Sequence, residues 1–346
     1  MDGKLGKIDE KAFKDFVLNR LGARNRRVTV GPQNGVDAAV FEVGGKTVVI
    51  AEDPIFPAVG LPLDTFGWFT VHIGASDVAV MGVRPELATY TLLMPPSTPD
   101  KDFETIVDSI HQAALDLDIA IIGGHTGYYP VVTVPIIGGI TVIGFAERGQ
   151  IVTSAGARPG DAVLLTKGPA VEATGLLAVL YEKQLRKQHG DAIADAALRR
   201  CREITVVKDA VTAKAAGPVT AMHDATEGGV LCGLVEIAEA SGTGIEIDEN
   251  RMLLPPDIAA LCSMLRIDPL AAIAEGSLLI TVAEPAARDI IAALAASDIP
   301  CTRIGRIMGD ASRRTILRRD GKVHRLARPK EDPFWSAFFN AVKQEA

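Results

Sequence analysis

The chain has 346 residues, 48% apolar and 23% charged, with a formal net charge of −7. That length suggests two domains with room for a core in each, and the acidic balance argues against a nucleic-acid or acidic-membrane partner. The first 20 residues are polar and charged, no uninterrupted apolar run of 18 exists, and Cys201, Cys232, Cys262 and Cys301 are scattered. These features predict a cytoplasmic protein with no signal peptide, no membrane span and no disulfide or zinc framework.

A polar helix is expected over Glu10–Leu21 and a short strand at Val28–Val30. Ala38–Val43, Gly44-Gly45 and Lys46–Ala51 read as a hairpin on a two-residue primed turn. Pairing Val43 with Lys46 sets Asp37 opposite Glu52 and beside Asp53, carboxylates that repel unless something positive sits among them. Strict alternation places Asp37 and Asp53 on opposite faces, so a bulge or strand end has to re-aim one of them. From Phe66 to Gly82 the chain is apolar all round, the mark of a buried helix. Asp77 lies inside it and needs a cation or hydrogen-bond donors.

A strand at Leu87–Met94 closes on Pro95-Pro96. Thr98 as N-cap and Pro99 open a helix with the stripe Phe103, Ile106, Val107, Ile110, Ala114 and Leu117. The next strand, Ile119–Ile122, ends in Gly123-Gly124-His125-Thr126-Gly127, where glycines allow close approach to a phosphate or metal. Val131–Ala146 adds further strand, and Val152–Asp161 marks a boundary between domains 1–153 and 154–346.

The second half opens with a strand (Ala162–Thr166), Lys167-Gly168 and a helix from about Ala170, then exposed helix within Glu182–Arg200. A strand at Val219–Met222 leads into His223-Asp224-Ala225-Thr226-Glu227-Gly228-Gly229 and a helix to Ala240. Strands at Ile245–Ile247, Leu278–Val282 and Thr302–Ile307 alternate with helices at Pro256–Leu265 and Ala286–Ala296. A hairpin on Asp320-Gly321 and an aromatic helix (Phe334, Trp335, Phe338, Phe339) close the chain. The fold class is α/β (α+β), each half a layered structure. Arg313, Arg314, Arg318 and Arg319 read as a solvated strand face.

Asp37, Asp53 and Asp77 with His125 form a hard-donor set that suits Mg²⁺ or Mn²⁺. Lys167 and the loop Asp224–Gly229 add a phosphate-handling side. The Walker, dinucleotide and protein-kinase signatures are missing. A metallophosphoesterase is a second reading, although six histidines, none in Asp-x-His, are few for it. His72 and His111 read as packing residues, and His223 stands between ligand contact and packing.

Seven motifs occur in order: G-V-D-A-A-V (Gly35–Val40), Glu52-Asp53, A-S-D-V-A-V-M-G-V-R-P (Ala75–Pro85), G-G-H-T (Gly123–Thr126), G-A-R-P-G-D (Gly156–Asp161), H-D-A-T-E-G-G (His223–Gly229) and A-E-G-S-L-L (Ala274–Leu279). As a set they resemble the aminoimidazole ribonucleotide (AIR) synthase superfamily, most of all its HypE-like, AIR synthase-related proteins. The resemblance covers roughly residues 5 to 330. It implies a two-domain fold whose N-terminal domain forms a shared barrel in a homodimer, a C-terminal α/β domain, and ATP with Mg²⁺ in the cleft. It also implies attack of a substrate oxygen on an ATP phosphate, turning an amide into an iminophosphate. Asp37, Asp53 and Asp77 are then the metal ligands, and Asp77, His125 and Asp224 the catalytic residues. Gly123, Gly124, Thr126, Lys167, Thr226, Gly228 and Gly229 contact the nucleotide. The sequence departs from the family where Val36 replaces one of an acidic pair, where His125 replaces a common Asp, and where Glu52 replaces a common Thr. It also lacks the C-terminal cysteine of HypE and the N-terminal reactive residue of selenophosphate synthetases. The expected function is ATP-dependent phosphorylation of a carbonyl or amide oxygen on a small-molecule or protein-borne substrate. The alternative is a non-catalytic nucleotide-binding scaffold in a maturation pathway.

Overall fold

Hairpin pairing starts the first sheet. Short helix α1 (Glu10–Ala12) runs into one π-type turn at Phe13–Val17 and stops there, because no residue of that turn is buried. The expected polar helix to Leu21 is therefore cut short. Strands β1 (Val28–Val30), β2 (Ala39–Val43) and β3 (Lys46–Ile55) follow, with Val43 paired to Lys46 as the Gly44-Gly45 turn dictates. Then come α2 (Leu63–Val80), β4 (Pro85–Met94), α3 (Asp100–Asp116), β5 (Ala120–Tyr128) and β6 (Ile136–Glu147). The sheet runs β1-β2-β3-β6-β4-β5, antiparallel except for the β4–β5 pair. This computed structural model describes residues 6, 8, 10–33, 35–57 and 60–345; residues 1–5, 7, 9, 34, 58, 59 and 346 of the two expected domains lie outside the described residues.

Two local expectations change, and the expected strand end and bulge at Asp37 and Asp53 are present. Pro99, not Thr98, occupies the cap position of α3 and makes no side-chain cap bond. Strand β5 does not end at Ile122. Parallel pairing with β4 carries it through the glycines, from Thr89 opposite Gly123 to Met94 opposite Tyr128. Asp37 precedes β2, and the β3–β6 register slips between Asp53 and Ile55. Both departures from regular strand free the two carboxylates from strict alternation.

Helix α2 is apolar all round because it is covered on every side. It packs on α3, on the first sheet and on the second half of the chain. A Cβ on Gly67 would lie 2.6 Å from the Ile106 carbonyl, and one on Gly74 would lie 2.8 Å from Ile140, so both glycines permit backbone-close packing. Only Leu63, Asp64, Trp68, Ile73 and Asp77 on this helix keep appreciable exposure.

The second half contains β7 (Asp161–Thr166), α4 (Val171–Leu180), α5 (Glu182–His189), α6 (Asp191–Arg199), α7 (Val207–Ala216), β8 (Val219–Asp224), α8 (Gly229–Ala240) and β9 (Gly244–Asp248). After these come α9 (Pro256–Leu265), β10 (Leu278–Ala283), α10 (Ala287–Ala296), β11 (Cys301–Met308), β12 (Arg314–Leu317), β13 (Val323–Arg325) and α11 (Pro333–Glu345). The sheet order is β13-β12-β9-β11-β7-β10-β8. Helix α7 has no counterpart in the sequence reading. Apart from Val207, its apolar core contacts come from small residues, Ala210 and Ala213, which carry little periodic signal. One apolar cluster links Ala75 and Val78 of α2 to Ala210 of α7 and Met222 of β8, so the two halves share a core.

Candidate active site

Elements of both halves converge on Asp77. Its carboxyl hydrogen-bonds to Asp53, and Asp224 and Asp37 lie close enough to act on it. Burial, then repulsion from Asp53, Asp224 and Asp37, holds this carboxyl well above the usual carboxylate range. Asp77 nevertheless keeps part of its surface open, as a group on a cleft wall does.

His223, at the end of β8, is enclosed and held from both sides. Its Nδ1 lies 2.9 Å from Asp37 Oδ2 and its Nε2 2.7 Å from Glu236 Oε2. Burial alone would depress its pKa, but the two carboxylates outweigh that and raise it well above the ordinary value. Behind Glu236, Arg328 joins Glu239 at 2.7 Å and Glu239 joins Arg314 at 2.9 Å, a line of alternating charge. Ligand atoms of Asp37, His223 and Asp224 lie within 4.8 Å of one another.

Strand pairing brings in a residue the sequence reading missed. Leu278 on β10 pairs with Asp224 on β8, and Ala225 N donates to Ser277 O. The turn before β10 thus carries Glu275 against Asp224. Glu275 is buried, its amide donates to Glu172 Oε2 at 3.2 Å, and no N–H or O–H among the described residues donates to its Oε1. Burial, then Asp224 and Glu172, pushes its carboxyl well above the usual range. Glu172, in the first turn of α4, was missed as well. Neither position breaks a local pattern. Motif A-E-G-S-L-L was the one available signal for Glu275.

Two family models match. The N-terminal domain of AIR synthase related proteins matches residues 35–146, and their C-terminal domain matches residues 158–317. Carbamoyl dehydratase HypE of Rhizobium leguminosarum bv. viciae is 30% identical over 283 residues, 80% of this chain and 78% of its own length. The chain belongs to the AIR synthase-related family. A putative hydrogenase expression/formation protein of Methanocaldococcus jannaschii is 28% identical, with 82% of each chain covered. A selenide, water dikinase of Myxococcus xanthus is 29% identical over 67% of this chain and 63% of its own. The fold matches that of HypE in complex with ATP, with a TM-score of 0.69 at 23% identity over 96% of this chain and 98% of that one. E. coli HypE gives 0.71 at 24% identity over 83% and 87%. The carbamoyl dehydratase and the selenide, water dikinase are enzymes, and the AIR synthase-related chain is an enzyme of the same family with its two-domain fold.

Within this AIR synthase-related fold, Asp37, Asp53, Asp77 and Asp224 come together. The other expected site residues do not join them directly. Lys167 is buried, its Nζ 3.0 Å from Asp209 and 2.7 Å from the Thr205 carbonyl. That ion pair fastens β7 to α7 through the ammonium for which a nucleotide contact was expected. Gly228 N donates to Asp332 Oδ2 at 2.8 Å and Gly229 N to Thr226 O at 2.9 Å, so both amides are already engaged. Thr226 O also accepts from Ala274 N, tying this loop to the turn of Glu275. Gly123, Gly124, His125 and Thr126 are exposed on edge strand β5, with His125 Nε2 2.6 Å from the Tyr129 hydroxyl. Asp53, Ile140, Tyr90 and Gly124 form one row across the sheet. Three strand spacings, roughly 14 Å, separate its ends.

Proposed function

We propose that this enzyme uses ATP and Mg²⁺ to phosphorylate a carbonyl or amide oxygen of its substrate, in the manner of the HypE-like branch. The observation that carries the reading is the gathering of Asp37, Asp53, Asp77, Asp224 and Glu275 into one cluster of carboxyls drawn from both halves, with ligand atoms of Asp37, His223 and Asp224 within 4.8 Å of one another. Carboxyls packed this closely repel unless protons or cations lie among them. Their oxygens are the hard donors a divalent cation takes, and Glu275, buried against the carboxyls of Asp224 and Glu172, fits that chemistry. Asp37, Asp53 and Asp77 would hold Mg²⁺, which when bound neutralises the triphosphate and the charge on the transferring phosphoryl group.

The chain's own residues do the rest. His223, clamped between Asp37 and Glu236, fixes the Asp37 carboxylate. Asp224 and Glu275 act as a pair: with one carboxyl protonated, the other is the base for the proton an amide nitrogen sheds as its oxygen attacks. The glycines and His125 of β5 meet the nucleotide in the homodimer. In a second copy across a two-fold axis, the open sheet face and β5, with Ile122 57% exposed, pair off and lose an unprotected edge. No helix of the described residues is long and apolar enough to cross a membrane, and we assign the enzyme to the cytoplasm.

The test is ADP release with Mg²⁺ and carbamoyl- or amide-bearing compounds, using ¹⁸O in the amide. Label appearing in the released phosphate supports direct attack of that oxygen. ATP binding without turnover on any such compound favours the scaffold reading instead.

A further inference from the structure

The β12–β13 hairpin walls a surface pocket of roughly 530 Å³ that the cleft chemistry does not use. Arg318, Arg319 and Arg325 line it, over a floor that includes Leu231 and Ile316. In a chain of net charge −7, three guanidiniums around one cavity are unusual company.

Their arrangement is built from below. Glu249, buried beneath them, lies 3.0 Å from Arg318 Nε and 3.5 Å from Arg319 Nε, and accepts the Arg319 amide at 3.2 Å. Arg318 is further fixed by Asp268 at 2.7 Å. Asp320, the remaining acid of the lining, accepts the Lys322 amide at 2.9 Å and lies 3.9 Å from His324. Arg325 makes no side-chain hydrogen bond or ion pair among the described residues, and Arg319 is about half exposed. An anchored guanidinium beside an uncommitted one, above apolar side chains, suits an anion that carries an apolar body.

We propose that this pocket binds a small organic anion, a phosphate or carboxylate head on an apolar or aromatic body. Arg325 and Arg319 hold the head, and Leu231 and Ile316 carry the body. The guanidiniums stand on the β12–β13 hairpin, five strands away in the sheet order from β8, the strand bearing Asp224; only Leu231, in the first turn of α8, comes from the stretch that follows the Asp224–Gly229 loop.

Phenyl phosphate is the probe, titrated by calorimetry against the full chain, with benzoate in parallel to separate the two head groups. Saturable binding is expected, weakened about tenfold or more by R325A and by R319A, as loss of a charge-assisted hydrogen bond requires. Arg325 has no side-chain partner among the described residues to strand, so R325A keeps the wild-type melting temperature, and that variant carries the test if R319A unfolds. D77N, whose change lies in the cleft, leaves probe binding intact. Binding of neither probe at millimolar concentration overturns the proposal. So does binding that R325A leaves untouched, or that D77N or ATP abolishes.

Discussion

Asp77 is half-buried against Asp53, with Asp37 and Asp224 adding repulsion to burial. A carboxyl raised in the folded state keeps a proton that the unfolded chain has already released. Stability of the metal-free protein therefore falls as pH rises from the unfolded value, near 4, through the folded one. Glu275 adds to the same slope. His223 does too: its raised pKa contributes stability that is complete below about 6.5 and lost as pH rises through the folded value. Melting temperature measured without metal should fall as pH rises above about 4, less steeply in Asp77→Asn, and Mg²⁺ should flatten the slope of wild type more than that of the variant. Identical slopes with and without Asp77 would contradict the arrangement. Glu275→Gln should keep the fold and lower turnover by about 100-fold, the scale of a lost general base. The four aspartates were legible in the sequence because each stands at an element end or interrupts an apolar pattern. Glu275 and Glu172 were not, because they meet only through the pairing of β8 with β10 and the start of α4; nor was the clamp on His223, which joins Asp37 of the first half to Glu236 of α8.

Elements explain why residues with phosphate-like signatures also carry structural contacts. Lys167 follows β7 as a nucleotide-binding lysine would, yet its partner Asp209 comes from α7, the helix that periodicity did not reveal. Removing the lysine leaves Asp209 buried and unpaired. Lys167→Ala should thus destabilise by about 3–5 kcal/mol, read by denaturant unfolding, with little change in the affinity for ATP of the folded fraction. A large loss of ATP affinity at unchanged stability would return Lys167 to the nucleotide site. The glycines of β5 are another case. Gly124 has φ +141°, and a Cβ there would lie 2.0 Å from the Tyr90 carbonyl. Gly124→Ala should break the β4–β5 pairing and expose β5 amides to hydrogen exchange. Spacing alone reads such a pair as a loop, since only the register with β4 shows it to be strand.

For the whole molecule, α2 is the shared wall. Its all-round apolar surface was legible as burial, and the layers that cause it were not: α3, the first sheet and the second half each cover a side. The alternation of strands and helices gave the two-layer halves, but neither sheet order nor the crossover to β6 has a local signal. Strand β5, apolar and open at Ile121 and Ile122, belongs to this scale, because an exposed apolar edge asks for a partner. Ile122→Glu should shift the sedimentation mass from dimer to monomer and lower ATP turnover with it. A wild-type chain that sediments as a monomer at micromolar concentration would remove the shared barrel.

The most direct test of the central claim is titration calorimetry of ATP with Mg²⁺ on wild type and on Asp77→Asn. Micromolar binding that requires Mg²⁺ and is lost in the variant is the expected result. Equal binding by both proteins, or none by wild type at millimolar ATP, would contradict it.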